Sequence, residues 1–90
     1  MNPERFAVIG ISSKRKYTEE ELQEIESRLR RYERVSNFST NAQEINFHIW
    51  SDGKIDYRIV EELREFLKQK QKRNPKITAV EYVKQYTKSF

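Results

Sequence analysis

The chain has one histidine and one tryptophan, His48 and Trp50, two residues apart and just ahead of Asp52-Gly53. Rings of these types stack on flat ligands, and an imidazole can also bind metal. A metal centre needs several converging ligands, and a lone histidine in a chain without cysteine supplies no such set. The lack of cysteine also removes thiolate catalysis and disulfides. No Ser-His-Asp spacing and no phosphate-cradling glycine loop is present; the only two glycines, Gly10 and Gly53, read as a strand residue and a turn residue. Asp52 and Asp56 flank that turn, and turn chemistry accounts for them. These residues point to a binding domain without cofactor or metal, not to an enzyme.

Phosphate chemistry is the second candidate. The net charge is +4, but the 18 basic and 14 acidic residues mostly interleave, so a polyanionic partner is permitted and not required. Three basic groups stand out: Lys14-Arg15-Lys16; Arg28, Arg30, Arg31 and Arg34; and Lys68, Lys70, Lys72, Arg73 and Lys76. The second reads as a solvated helix end that complements the helix dipole, helped by the pairs Glu24 with Arg28 and Glu26 with Arg30. The third holds more cations than a dipole needs, although a solvated tail explains it equally well. Lys70, Lys72 and Arg73 read as exposed positions at a helix end whose joint loss leaves folding nearly unchanged.

Ninety residues, 36% apolar and 36% charged, make one small domain spanning 1–90 with a thin core. The run Phe6 to Ile11 is too short for a signal-peptide core, and no stretch has membrane-spanning length, so the expected location is cytoplasmic. The same run has the look of an interior strand covered on both faces. Thr18 and Glu21 form a capping box, and Leu22, Ile25, Leu29 and Tyr32 continue at helical spacing to about residue 35. Residues 36–44 read as a polar connection anchored by Phe38. A hairpin over 45–59 follows, turning on Ser51-Asp52-Gly53 with Gly53 left-handed. That register pairs Trp50 with Lys54 and His48 with Asp56. It puts Ile45, Phe47, Ile49, Ile55, Tyr57 and Ile59 on one face, and Asn46, His48, Trp50, Lys54, Asp56 and Arg58 on the other. Val60, Leu63, Phe66 and Leu67 mark a second helix.

The last segment is ambiguous. Ile77, Thr78, Val80, Tyr82 and Val83 favour a strand, while the Thr78/Glu81 cap spacing and the period of Val80, Val83, Tyr86 and Phe90 favour a helix. Choosing the helix gives β-α-β-β-α-α: an α+β fold with a three-stranded sheet. In element order it resembles a ferredoxin-like split β-α-β whose fourth strand is replaced by a helix. The expected core is Phe47, Ile49, Ile55, Leu22, Ile25, Leu29, Leu63 and Phe66.

In this arrangement the first strand and second helix end together, which joins the Lys14 loop to the Lys68–Lys76 group in one patch able to bind phosphates. The leading expectation is therefore a nucleic-acid partner held by Lys14, Arg15, Lys16, Lys68, Lys70, Lys72 and Arg73, with His48 and Trp50 as stacking groups. A sheet exposing His48, Trp50 and Arg58 is physically similar to RNA-binding sheets, although the aromatic-rich motifs of RNA-recognition domains are absent. The alternative is a protein-interaction module or small inhibitor, of the size and charge of phage-type regulators. Its interface would be Trp50, Val80, Tyr82, Val83, Tyr86 and Phe90, closed by the last helix or by a second copy in a homodimer. A face covered by that helix or by a second subunit is the favoured fate of Trp50.

Overall fold

The computed structural model describes residues 4–84. In chain order the elements are β1 (Glu4–Ser12), α1 (Glu19–Leu29), β2 (Val35–Thr40), β3 (Glu44–Ser51), α2 (Arg58–Lys70) and β4 (Lys76–Lys84). They form one antiparallel sheet in the order β2-β3-β1-β4. Each helix joins two strands that lie either side of a third. That is a pair of split β-α-β units, the ferredoxin-like arrangement. The class is α+β, as the sequence indicates, but the sheet has four strands and the order is β-α-β-β-α-β.

The last segment is thus a strand. The whole of β1, from Glu4 to Ser12, pairs with β4, from Lys84 to Lys76. A helix there would leave one side of a central strand without hydrogen-bond partners, and tertiary pairing of this kind outweighs a cap spacing and a short period. Tyr86 and Phe90, the far end of the expected interface, lie outside the described residues.

The hairpin also falls elsewhere. It joins β2 to β3 at residues 41–43, where Asn41 Oδ1 accepts from the backbone N–H groups of Gln43 and Glu44, both at 2.9 Å. Residues read as a polar connection are therefore an edge strand, with Phe38 packed against the core. A β-bulge between Ser36 and Ser39, with Asn37 at φ 54, breaks the alternation that would have marked it. Ser51–Lys54 is a turn into α2, closed by Ser51 Oγ donating to Lys54 O at 2.7 Å, and Gly53 has no positive φ. The expected pairs Trp50–Lys54 and His48–Asp56 do not form.

Helix α1 begins at the expected capping box, with Thr18 and Glu21 exchanging bonds of 3.0 and 3.1 Å. It stops at Leu29, short of 35, because Tyr32 N–H closes a turn onto Leu29 O and Val35 enters the sheet. The core lies between the helices and one face of the sheet. Ala7, Ile9, Ile11, Ile45, Phe47 and Ile49 point into it from the two central strands, meeting Ile25 and Leu29 of α1 and Ile59, Val60, Leu63 and Leu67 of α2. Of the expected core, Phe47, Ile49, Ile55, Ile25, Leu29 and Leu63 are buried, while Leu22 and Phe66 are half-buried at its rim. Among the described residues no helix is long and apolar enough to cross a membrane.

Candidate nucleic-acid interface

Strand alternation sends the partners of the core residues to the opposite face of the sheet. On β1 these are Phe6, Val8 and Gly10; on β3, Asn46, His48 and Trp50; on β4, Thr78, Val80 and Tyr82. The register puts Phe6 between Trp50 and Tyr82, and Val8 between His48 and Val80. Three rings stack on Phe6, although His48 and Trp50 are tilted 48° to each other at 6.3 Å. Phe6 lies 4.7 Å from Trp50, 5.2 Å from His48 and 5.2 Å from Tyr82, at interplanar angles of 28°, 24° and 18°. Both helices pack on the other face, so among the described residues no helix covers this row. Tyr82 and Val80 are 49% and 51% exposed, and Phe6, His48 and Trp50 are half-buried.

Two side-chain bonds fix the polar edges of the rings. Trp50 Nε1 donates to Ser36 Oγ at 2.6 Å, and Asn37 Nδ2 lies 3.0 Å from His48 Nδ1. Asn37 reaches His48 because of the bulge in β2, so the strand missed in the sequence orients the histidine found there. Beyond His48 the face turns polar around Gly10. A Cβ at that position would stand 2.8 Å from Thr78 Oγ1 and 3.3 Å from Asn46 Oδ1. Glycine leaves room for both side chains over β1.

The face differs in membership from the expected one. His48 and Trp50 share it, but Arg58, Asp56 and Lys54 do not. Arg58 heads α2 and pairs with Asp56 at 2.9 Å, which holds the Asp56 carboxyl below its ordinary pKa. Val80 and Tyr82 lie on the face, whereas Val83, paired with Arg5, points to the helix side. Phe6, the hub of the row, was hidden in a run read as covered on both sides. Its signal is the alternation of Phe6 and Val8 with Ala7, Ile9 and Ile11.

The basic end is the other part of the site. Ser12, Ser13, Lys14, Arg15, Lys72, Arg73, Asn74 and Lys76 line one cleft of about 470 Å³, so the loop after β1 does meet the segment after α2. Lys14, Lys72 and Lys76 are exposed there. Lys70 lies apart, in a groove with Glu61, Glu62 and Glu65, while Lys68 is exposed on α2 and Lys16 on the loop.

Arg73 is not a solvated tail residue. Its side chain is 1% exposed and its guanidinium donates to Glu21 Oε1 at 2.7 Å, Ser13 Oγ at 2.8 Å and Lys16 O at 2.8 Å, and also to Arg15 O. Its Cζ also stacks 4.0 Å over the Tyr17 ring. The Arg73 bonds hold the Glu21 carboxyl at a pKa of about 2, and burial pushes the Tyr17 hydroxyl up. With every donor direction taken, Arg73 is a structural residue that ties α2 to the β1–α1 loop.

Comparison with protein-family models and with curated proteins finds no match. Among solved structures the chain is similar to a "De novo designed protein Foldit4", at 23% identity and a TM-score of 0.58, over 91% of this chain and 99% of that one. That likeness shows the fold alone.

Proposed function

We propose that this chain is a small non-enzymatic domain that binds single-stranded nucleic acid, stacking bases on the outer rings His48, Trp50 and Tyr82, with Phe6 as the ring they pack on, and holding phosphates with Lys14, Arg15, Lys72 and Lys76. The observation that supports it is the row of rings on the sheet face opposite α1 and α2. Every base has a π-face, and stacking on an aromatic side chain contributes about 1–3 kcal/mol per base. RNA-recognition sheets bind by the same physics, with rings on their central strands. Asn46, Thr78 and Glu44, gathered about Gly10, offer donors and acceptors to base edges midway between the rings and the cations. From Phe6 to Ser12 the path is roughly 20 Å long, at about 3.3 Å per strand residue. A short oligonucleotide spans it.

Titration with a single-stranded oligonucleotide should quench Trp50 fluorescence. Tyr82→Ala should weaken binding about tenfold or more, one stacked base being lost. Replacing Lys14 and Lys72 together by Ser should reduce the salt slope by about 1.4, at ~0.7 per phosphate contact on a single strand. Binding indifferent to salt, or an unquenched tryptophan, would overturn the reading. A second reading, a protein module or homodimer, draws on β4, an edge strand whose Val80 and Tyr82 are half exposed. It predicts a mass that rises with protein concentration and little response to salt.

A further inference from the structure

The cleft at the basic end is more organised than a scatter of surface lysines. Buried Arg73 donates to Ser13 Oγ, a hydroxyl that can both accept this bond and donate one of its own. The loop bearing Ser13, Lys14 and Arg15 is held from below by Arg73 and from the side by Ser13 N–H on Gln43 O at 3.1 Å and Tyr17 N–H on Ala42 O at 2.8 Å. Arg15 is anchored by donating to Gln71 O at 2.6 Å. On the opposite wall, Lys72 has φ 53, a backbone state that non-glycine residues adopt at a cost. The sequence keeps a lysine there, next to the reverse turn in which Arg73 N–H donates to Leu67 O at 2.9 Å. Among the described residues no carboxylate lines the cleft, and Glu21 behind it is paired with Arg73 at 2.7 Å. Cations and hydroxyls therefore converge on one space, where Glu21 balances Arg73 and Arg15 from behind and Lys14, Lys72 and Lys76 stand exposed.

We infer that this cleft is a binding site for a phosphate monoester, the dianionic end of a nucleic-acid strand whose bases lie on the sheet; the choice of ligand rests on the nucleic-acid reading. A monoester carries more charge than an internal diester and presents three acceptor oxygens. Lys14, Lys72 and Lys76 supply charge, and Ser13 and Asn74 supply directed donors. Arg73 is a positioning residue that acts through Ser13 and the loop carbonyls.

The test uses the whole chain with three oligonucleotides of one sequence, ending in a 5′-phosphate, a 3′-phosphate or hydroxyls only. One of the phosphorylated ends should bind roughly tenfold tighter than the hydroxyl form. Inorganic phosphate should cancel that advantage and shift the amide resonances of residues 12–15 and 72–76. Ser13→Ala and Lys72→Gly should abolish the advantage; Ser13→Ala should leave Trp50 quenching by the hydroxyl-ended strand unchanged, whereas Lys72→Gly should also lower that strand's salt slope by about 0.7, one phosphate contact being lost. The second variant keeps the fold because glycine suits the left-handed position. Equal binding of all three strands, with phosphate shifting nothing and Trp50 still quenched, would overturn the cleft and spare the nucleic-acid reading. Phosphate binding in the cleft without binding of any strand would overturn the strand end as ligand.

Discussion

The two helices end in basic stretches of similar appearance, and the fold uses them in different ways. At the end of α1, Arg30 pairs with Glu26 at 2.6 Å while 76% exposed, Arg34 reaches Asp52 at 3.7 Å, and Arg28 lies 4.0 Å over the Phe66 ring. These are surface pairings in water. At the end of α2 the chain reverses through Lys72, and Arg73 turns inward to a carboxylate, a hydroxyl and carbonyls. One charge is taken out of solvent and fully paired, while Lys14, Lys72 and Lys76 stay outside. Proximity in sequence says nothing about which of two adjacent cations is structural. What separates Lys72 from Arg73 is the direction of one turn.

Removing the inward charge is the most severe way to test this contrast. Arg73→Ala should destabilise the domain by about 3 kcal/mol, because Glu21 and the loop carbonyls lose their donors in a partly buried setting. Chemical denaturation measures it, and a loss below about 0.5 kcal/mol, the range of a surface substitution, would show that Arg73 is no different from its neighbours.

Acid should act on the same pair with a smaller effect. The folded Glu21 pKa lies below the unfolded value, so its contribution is complete above 4.5 and is lost as pH falls toward about 2. Discounting for its partial exposure, the loss should be on the order of 2 kcal/mol. Glu21→Gln should remove this acid-dependent component from the unfolding curves; a Gln variant with an unchanged pH profile would assign the acid sensitivity elsewhere.

Lys72→Gly sharpens the comparison in the opposite sense. Relief of the left-handed strain should raise stability by about 1 kcal/mol, read as a higher denaturation midpoint. A fall would mean that the lysine side chain holds the turn. The smallest change belongs to α1, where Arg30→Ala should cost no more than about 0.5 kcal/mol, as expected for an exposed pair four residues apart. A larger loss would erase the distinction between the two helix ends.

Much of the layout is legible in the residues. The Thr18 capping box, the inward set Ile45, Phe47 and Ile49, and the α2 stripe Val60, Leu63 and Leu67 follow from local bonding and periodicity. So does the sharing of one face by His48 and Trp50, because strand alternation holds whatever the partner strand is. The meeting of the Lys14 loop with the end of α2 also follows from element directions alone. Edge strands are harder to read. β2 alternates poorly because of its bulge, and an Asn41 side-chain turn is a weaker sign than Asp-Gly, so the hairpin is misplaced by one strand.

By itself the sequence determines the class, the helices, the inward face of the central strands and the absence of cysteine chemistry, since these depend on side-chain type and short-range spacing. Tertiary structure decides the rest. Whether Lys76–Lys84 is helix or strand turns on the unpaired side of β1, a demand for hydrogen bonds set by residues 64 or more positions away. The same pairing brings Tyr82 to Phe6 and sets the ring row on the sheet face opposite α1 and α2. Arg73 is buried because Glu21, Ser13 and the loop carbonyls surround the point where α2 ends. A charge is worth burying only where partners converge from several elements, and no stretch of local sequence contains that convergence.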